Sequence, residues 1–347
     1  KKVWVEERKS GQKMRCEACA AKVEAGSLVA ALKNASVVQS GDAAIFGDRQ
    51  WLQSVDAMTS PLGDPYLHGF IAVIHALSDL YVCGQLLENQ RPKLAILVTG
   101  GRGLPSIEAN RLLAIMHGVK AAAAQEGADI ITGHSATGPV DQVSVTVTGR
   151  ALPYVPPQAE LPAEVGIFLS KPLGVGALLV ARRLGAGRAL SISAAIASMK
   201  ASNRRAAECA MAAGALALTD VTGFGLARHI ENVIQDIETN LKVKMGAALF
   251  LHKIPILEGA SKILENTSIR ASLSPSNKNS VRNFMDLNTK NTSLTDILFD
   301  PQTSGGIVAV VPTANANKLV AHLQKSIAPK TAIIGSLSFE HTGIIAN

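Results

Sequence analysis

Five aspartates stand in short phrases marked by glycine or small residues. They are Asp42 in SGDAAIF, Asp56 in LQSVDAMTSPLGDPY, Asp79 in ALSDLYVCG, Asp220 in LTDVTGFG and Asp300 in LFDPQTSGG. Carboxylates gathered in one place repel, by roughly 4 kcal/mol for a pair about 4 Å apart at an effective dielectric of about 20. Divalent cations relieve that repulsion. Hard carboxylate oxygens suit magnesium, which also bridges substrate phosphates. If the phrases converge, they imply an ATP site with several Mg2+ ions. Taken singly, each aspartate has a plain reading: Asp42 in a turn, Asp79 solvated near a helix end, Asp220 as an N-cap. The chemistry is carried by the joint pattern.

A second cluster lies in RCEACAAKVEAG, where Cys19 and Lys22 are three residues apart. On a helical turn such residues share a face. A neighbouring ammonium favours thiolate at Cys19, and the same Lys22 can meet a phosphate as a point charge. Cys16 and Cys19 form a C-x-x-C, but no second pair stands at zinc-ligand spacing. A redox pair is a minor alternative. There is no GxxxxGK[ST] and no GxGxxG after a strand, so ATP would be held by another architecture.

The elements that must position these residues read as a mixture of strands and long helices. WLQSVD is a strand that ends in Asp56. Residues 66–82 place Leu67, Phe70, Ile71, Ile74 and Leu77 on one helical face, with Asp79 near the C-terminal end. VEAGSLVAALKN is an apolar helical pattern, KLAILVTG a buried strand, and 106–125 a second helix. ADIITGHS and VSVTVTGRAL follow as strands. A proline-rich stretch, LPYVPPQAELPAEVG, reads as an inter-domain linker, and strand–turn–helix patterns resume after it. The Ser-, Asn- and Thr-rich segment 264–296 reads as a surface loop with short helices. The expected class is α/β, layered, in two domains.

The 347 residues suffice for two domains, and 47% apolar against 18% charged content excludes a disordered chain. No apolar run approaches the roughly 18 residues of a membrane span, and the charged first residues lack a signal-peptide core. The net charge is +7, of which residues 1–22 supply 7 basic minus 3 acidic, or +4. Without interleaved aromatics this favours a segment folding over a polyphosphate rather than a nucleic-acid tail. Four cysteines suggest no disulfide framework. The expectation is a cytoplasmic protein with no nucleic-acid or membrane partner.

Together the phrases C-x-x-K at 19–22, DAA at 42–44, VD at 55–56, DPYLHG at 64–69, ALSDLY at 76–81 and GHS at 133–135 resemble the selenophosphate synthetase (selenide, water dikinase) family. VTG at 147–149, SKPLGVG at 170–176, TDVTGFGLARH at 219–229 and LFDPQTSGG at 298–306 extend the resemblance over nearly the whole chain from about Arg15. It implies a two-domain aminoimidazole ribonucleotide synthetase-like fold. It also implies synthesis of selenophosphate from selenide, ATP and water, with release of AMP and phosphate. Carried onto this sequence, the family's catalytic residues are Cys19 and Lys22. Its Mg2+ ligands are Asp42, Asp79 and Asp220. Its nucleotide contacts are Lys22, Asp56, Asp79 and a Gly133–His134–Ser135 turn. Asp300 is expected to hold the DPQTSGG turn.

The implied divisions are a mobile basic segment at 1–26, an ATP- and Mg2+-binding dimerisation domain at 27–155, and a C-terminal α/β domain at 156–347. The implied assembly is a homodimer. RCEACAAKV is most similar to the form fused behind a flavin-dependent oxidoreductase, and the first residue is Lys rather than Met, which agrees with a preceding domain. The chain carries Gly41 where the family usually has a second acidic residue, Ala20 after the cysteine, and ATGP after GHS. Competing readings are a catalytically altered ATP-binding paralogue and another ATP-dependent small-molecule kinase of the same fold.

Overall fold

The computed structural model describes residues 35, 41–100, 105–157, 164–265, 269–286, 293–326, 328–339 and 342–346. Cys16, Cys19, Lys22 and the VEAGSLVAALKN pattern lie outside the described residues.

The first half contains β1 (Ala44–Phe46), β2 (Trp51–Thr59), α1 (Pro65–Cys83), β3 (Gly84–Leu86), β4 (Lys93–Gly100), α2 (Pro105–Glu126), β5 (Asp129–Thr137) and β6 (Gln142–Pro153). Its sheet runs β1-β2-β6-β4-β5, and β3 also pairs with β6. Among the described residues only β4 and β5 pair in parallel in this sheet; the other pairs are antiparallel. Period-two alternation sets the faces. Val143, Val145 and Val147 are buried, while Ser144, Thr146 and Thr148 between them reach the other side.

Two expectations need correction here. Gly133–His134–Ser135 is strand, not turn, because β5 pairs with β4 from Asp129 to Thr137. Asp56 lies inside β2 rather than at its end, because pairing with β6 continues to Thr59.

Helix α1 starts where Asp64 accepts a hydrogen bond from the Leu67 amide and Pro65 occupies the first turn. Every residue from His68 to Ser78 is buried, so the apolar stripe read from the sequence is only part of its covered surface. A helix covered on all sides must be apolar all round. One side meets the first sheet and α2, at close approaches permitted by Gly69 and Gly118: a Cβ there would stand 2.1 Å from the Ile115 carbonyl oxygen and 1.9 Å from that of Tyr66. The other side meets the second half. Among the described residues α1 is the one helix long and apolar enough to cross a membrane, and 78% of its apolar window is buried inside the protein, as in a core helix.

The second half contains β7 (Val165–Leu169), α3 (Val175–Arg183), α4 (Ala189–Lys200), α5 (Arg204–Ala212), β8 (Ala217–Asp220), α6 (Gly225–Leu241) and β9 (Gly246–Leu249). Short helices α7 (Ala260–Glu265), α8 (Ser274–Ser280) and α9 (Ser293–Asp296) follow, then β10 (Ile307–Pro312), α10 (Thr313–Ser326), β11 (Ala332–Ser338) and β12 (Gly343–Ala346). The sheet order is β12-β9-β11-β7-β10-β8. One hydrophobic cluster joins Ile71, Ile74 and Leu77 of α1 to Phe168, Ala195, Met199 and Ala207 of the second half. The halves share a core.

Candidate active site

Each half delivers carboxylates to the seam. From the first come Asp42, just before β1, Asp56 on the inner face of β2, and Asp79 near the end of α1. From the second comes Asp220, the last residue of β8. Thr219 Oγ1 donates to Asp42 Oδ2 at 2.9 Å, and Ser54 Oγ donates to Asp79 Oδ2 at 2.5 Å. His75 Nε2 lies 3.5 Å from Asp56 Oδ2.

The electrostatics register the gathering. Burial, then Asp56, Asp220 and Asp42 in that order, push the Asp79 carboxyl well above the usual carboxylate range. Burial and Asp42 push Asp220 up to about 6, against the opposing influence of His75 and of the nearby Ser78 hydroxyl. Among the described residues Asp220 Oδ2 is buried with no hydrogen-bond partner, which is costly unless something binds it. Beside the cluster, burial and Asp42 raise the Cys83 thiol to about 12, which makes it inert.

These residues fit a divalent cation. The orphaned oxygen of Asp220 and the mutual repulsion both call for positive charge. Yet among the described residues no three His, Cys, Asp or Glu side chains form a ready-made metal cage. A site that offers one or two carboxylates per ion and leaves the remaining positions to water and phosphate oxygens is the habit of Mg2+.

The DPQTSGG segment clasps the second half together behind this cluster. Gln302 Oε1 accepts from the amides of Gly174 and Val175, both at 3.2 Å, and Gln302 Nε2 donates to Asp300 O and Oδ2, both at 2.8 Å. The Val221 amide donates to Gly306 O at 2.8 Å. A Cβ on Gly305 would stand 2.0 Å from Val221 O, and one on Gly306 would stand 2.5 Å from Lys171 N. Lys171 Nζ donates to Ala201 O at 2.6 Å and Ser304 O at 3.1 Å, and burial lowers its pKa to about 7. The family phrases SKPLGVG, TDVTGFG and DPQTSGG are thus three strands of one knot.

The structure brings together Asp42, Asp56, Asp79 and Asp220. It leaves Gly133, His134 and Ser135 apart from them within one chain. Asp56, Val145, Ile96 and Gly133 form a single cross-sheet row, so Gly133 stands three strand spacings, about 14 Å, from Asp56. His134 pairs with Leu97 one row on, on the face turned away from α1. Asp220 is a strand residue and caps no helix; the position before α6 is Phe224. Sequence reading missed Ser54, His75, Ser78, Lys171, Asn203 and Thr219. His75 was findable, one helical turn before Asp79. Asn203 carried no local signal.

Residues 40–151 match the family described as AIR synthase related protein, N-terminal domain. The chain is 30% identical over 291 residues to the selenide, water dikinase of Carboxydothermus hydrogenoformans, covering 82% of this chain and 80% of that protein. It is 29% identical over 333 residues to that of Desulfitobacterium hafniense strain Y51, covering 92% and 93%. Thiamine monophosphate kinase from Aquifex aeolicus has a similar structure, with a TM-score of 0.65 at 16% identity, covering 93% of this chain and 97% of that one. That likeness concerns the fold alone, which is α/β of the AIR synthase kind.

Proposed function

The chain belongs to the selenide, water dikinase family, and on that premise we propose that it makes selenophosphate from selenide, ATP and water, releasing AMP and phosphate. The observation that carries the reading is the buried carboxylate group with the unpartnered Asp220 oxygen. Asp42, Asp79 and Asp220 are assigned to Mg2+ and Asp56 to the nucleotide. Bound Mg2+ supplies charge neutralisation on the transferring phosphoryl group. Ser54 and Thr219 aim Asp79 and Asp42 by their hydrogen bonds. Burial at the seam of the two halves excludes water from Asp220. Lys22 and Cys19 are assigned from the family pattern to phosphate binding and selenide handling.

The division at 1–26, 27–155 and 156–347 is retained as a proposal. It is supported by the gap between β6, which ends at Pro153, and β7, which starts at Val165. The assembly is proposed to be a homodimer, and Gly133–Ser135 to contact nucleotide in that assembly.

Phosphorus NMR of the chain with ATP, Mg2+ and selenide tests the function. Selenophosphate and AMP should appear together, and both should vanish in Lys22→Ala and Asp220→Asn. ADP as the end product, or ATP consumption indifferent to selenide, would sink the proposal.

A further inference from the structure

His229 ends the phrase TDVTGFGLARH, and the carboxylate site leaves it without a task. It stands early on α6 and is 5% exposed. Its Nε2 faces the chain that leaves Asp220. The Thr222 amide donates to Nε2 at 3.1 Å, and Thr222 Oγ1 stands 3.3 Å from the same nitrogen. A backbone N–H can only donate, so Nε2 is the acceptor and the ring proton is on Nδ1. The Thr222 hydroxyl can then only donate to Nε2 as well. The ring is a neutral imidazole of one tautomer.

The residues after Asp220 are held from several sides. The Val221 amide bonds Gly306 O of the clasp, and the Gln302 amide donates to Thr222 O at 3.1 Å. The clasp is itself fixed by Asn203, whose amide nitrogen donates to Ser78 Oγ and Gly305 O, both at 2.8 Å. Asn277 Nδ2 donates to Gly223 O at 2.9 Å. None of these groups changes charge with pH. Among the described residues the bond to His229 is the one in 221–223 that a proton can compete for, because the proton and the Thr222 amide need the same lone pair. The charged groups on the elements packed against α6 are Asp220 on β8, Lys278 on α8, and Asp296 and Asp300 on either side of 297–299; β10 and β12 carry none. On α6 itself Arg228 and Glu231 pair with each other, and Asp236 and Glu238 lie further along. Carboxylates there can steady an imidazolium. None can take over the Thr222 amide, whose hydrogen points at Nε2.

We infer that His229 is a positioning residue. Neutral, it accepts the Thr222 amide and fixes the chain leaving Asp220; a proton on Nε2 unfastens that chain. Its value to cation binding rests on the reading of the carboxylates as a nucleotide–Mg2+ site. The role needs no contact between His229 and substrate.

The test uses the full chain, isotopically labelled at threonine and histidine nitrogens, in nuclear magnetic resonance. At about pH 8 the His229 ring should show Nδ1 protonated and Nε2 unprotonated. Protection of the Thr222 amide against hydrogen exchange, corrected for the intrinsic rate, should fall below about pH 6.5, where a released imidazole takes a proton. The fall should reach up to about tenfold per pH unit, as an opening linked to one proton requires. In His229→Gln, whose side-chain oxygen can accept the same amide and does not titrate, protection should stay flat over that range. His229→Phe keeps a ring and removes the acceptor, so its Thr222 amide should be poorly protected at every pH. Mn2+ binding with a non-hydrolysable ATP analogue, followed by electron paramagnetic resonance, should be about tenfold weaker in His229→Phe, the lower end for loss of groups that orient metal ligands. His229→Gln should restore it. If His229→Phe does not fold, the wild type against His229→Gln decides.

A ring proton on Nε2 at about pH 8, wild-type Thr222 protection indifferent to pH, or an equal fall in His229→Gln would each overturn the inference. So would wild-type Mn2+ affinity in a folded His229→Phe. Mn2+ binding that follows His229 in a chain that forms no selenophosphate removes the family reading and leaves the positioning residue standing. Selenophosphate formation with a Thr222 amide indifferent to His229 does the reverse.

Discussion

Asp220 and Asp300 are both deeply buried carboxyls, and their surroundings give them opposite tasks. Asp220 keeps an oxygen open beside other carboxylates. Asp300 is engaged by Gln302 through Oδ2, and its Oδ1 faces the Gly176 and Ala177 amides at the start of α3 without closing a hydrogen bond. Burial raises the Asp300 pKa to about 7 from 3.8. Between those pH values the folded protein holds a proton that the unfolded chain has lost. The stabilising contribution is therefore fully present below 3.8 and is lost as pH rises through about 7. Asp300→Asn does not titrate. The melting temperature of the wild type minus that of Asp300→Asn should fall steadily between about pH 4 and about pH 7 and level off above. A gap that stays constant would show that Asp300 is not the titrating group. At this scale the carboxylates were legible, because each sits in a phrase of its own. Asn203 and Lys171 were not, because their partners Ser78 and Ser304 lie 125 and 133 residues away.

Among the elements, the clasp is where sequence phrase and packing coincide most closely. DPQTSGG needs both glycines because its backbone passes against two other backbones. The Cβ of an alanine at position 305 would stand 2.0 Å from Val221 O and 2.9 Å from Gln302 Cβ. Neither neighbour is the loose end of a flexible side chain. Gly305→Ala should therefore cost about 2–3 kcal/mol, the upper part of the range for overpacking. It should also disturb the Val221 and Asn203 bonds beside Asp220. Urea unfolding measures the first effect; a midpoint unchanged from wild type would mean that the clasp opens without strain. Pattern reading found β4, β6, α1 and α2 to within a residue or two, since alternation and helical period are strong there. It also placed GHS in a strand, and pairing with β4 carries that strand on to Thr137; the turn was implied only by the family resemblance. It saw one buried face of α1 because periodicity reports only what departs from uniform burial.

At the scale of the whole molecule the first sheet is asymmetric. α1 and α2 cover its inner face, and the outer face carries Trp51 and Val55 from β2, Leu97 from β4, and Thr146 and Thr148 from β6. Val55 is 67% exposed and Ile131, at the bulge in β5, is 62% exposed. Large apolar side chains grouped on one open sheet face are a liability in a monomer and an asset at an interface. The proposed occupant is a second copy of the chain, since a twofold contact places each patch on its own equivalent. A charge at the centre of such a contact is desolvated without a partner and repels its own symmetry mate. Val55→Lys should therefore convert a species of twice 36.2 kDa to one of 36.2 kDa in sedimentation at micromolar concentration. Its circular dichroism should match the wild type, because Val55 faces away from the core. A substitution at Asn315, exposed on α10 in the other half, should leave the mass doubled. Sedimentation of the wild type as a 36.2 kDa species would remove the dimer from the proposal. It would also leave Gly133–Ser135, about 14 Å from Asp56 in one chain, without the assembly in which they are proposed to contact nucleotide.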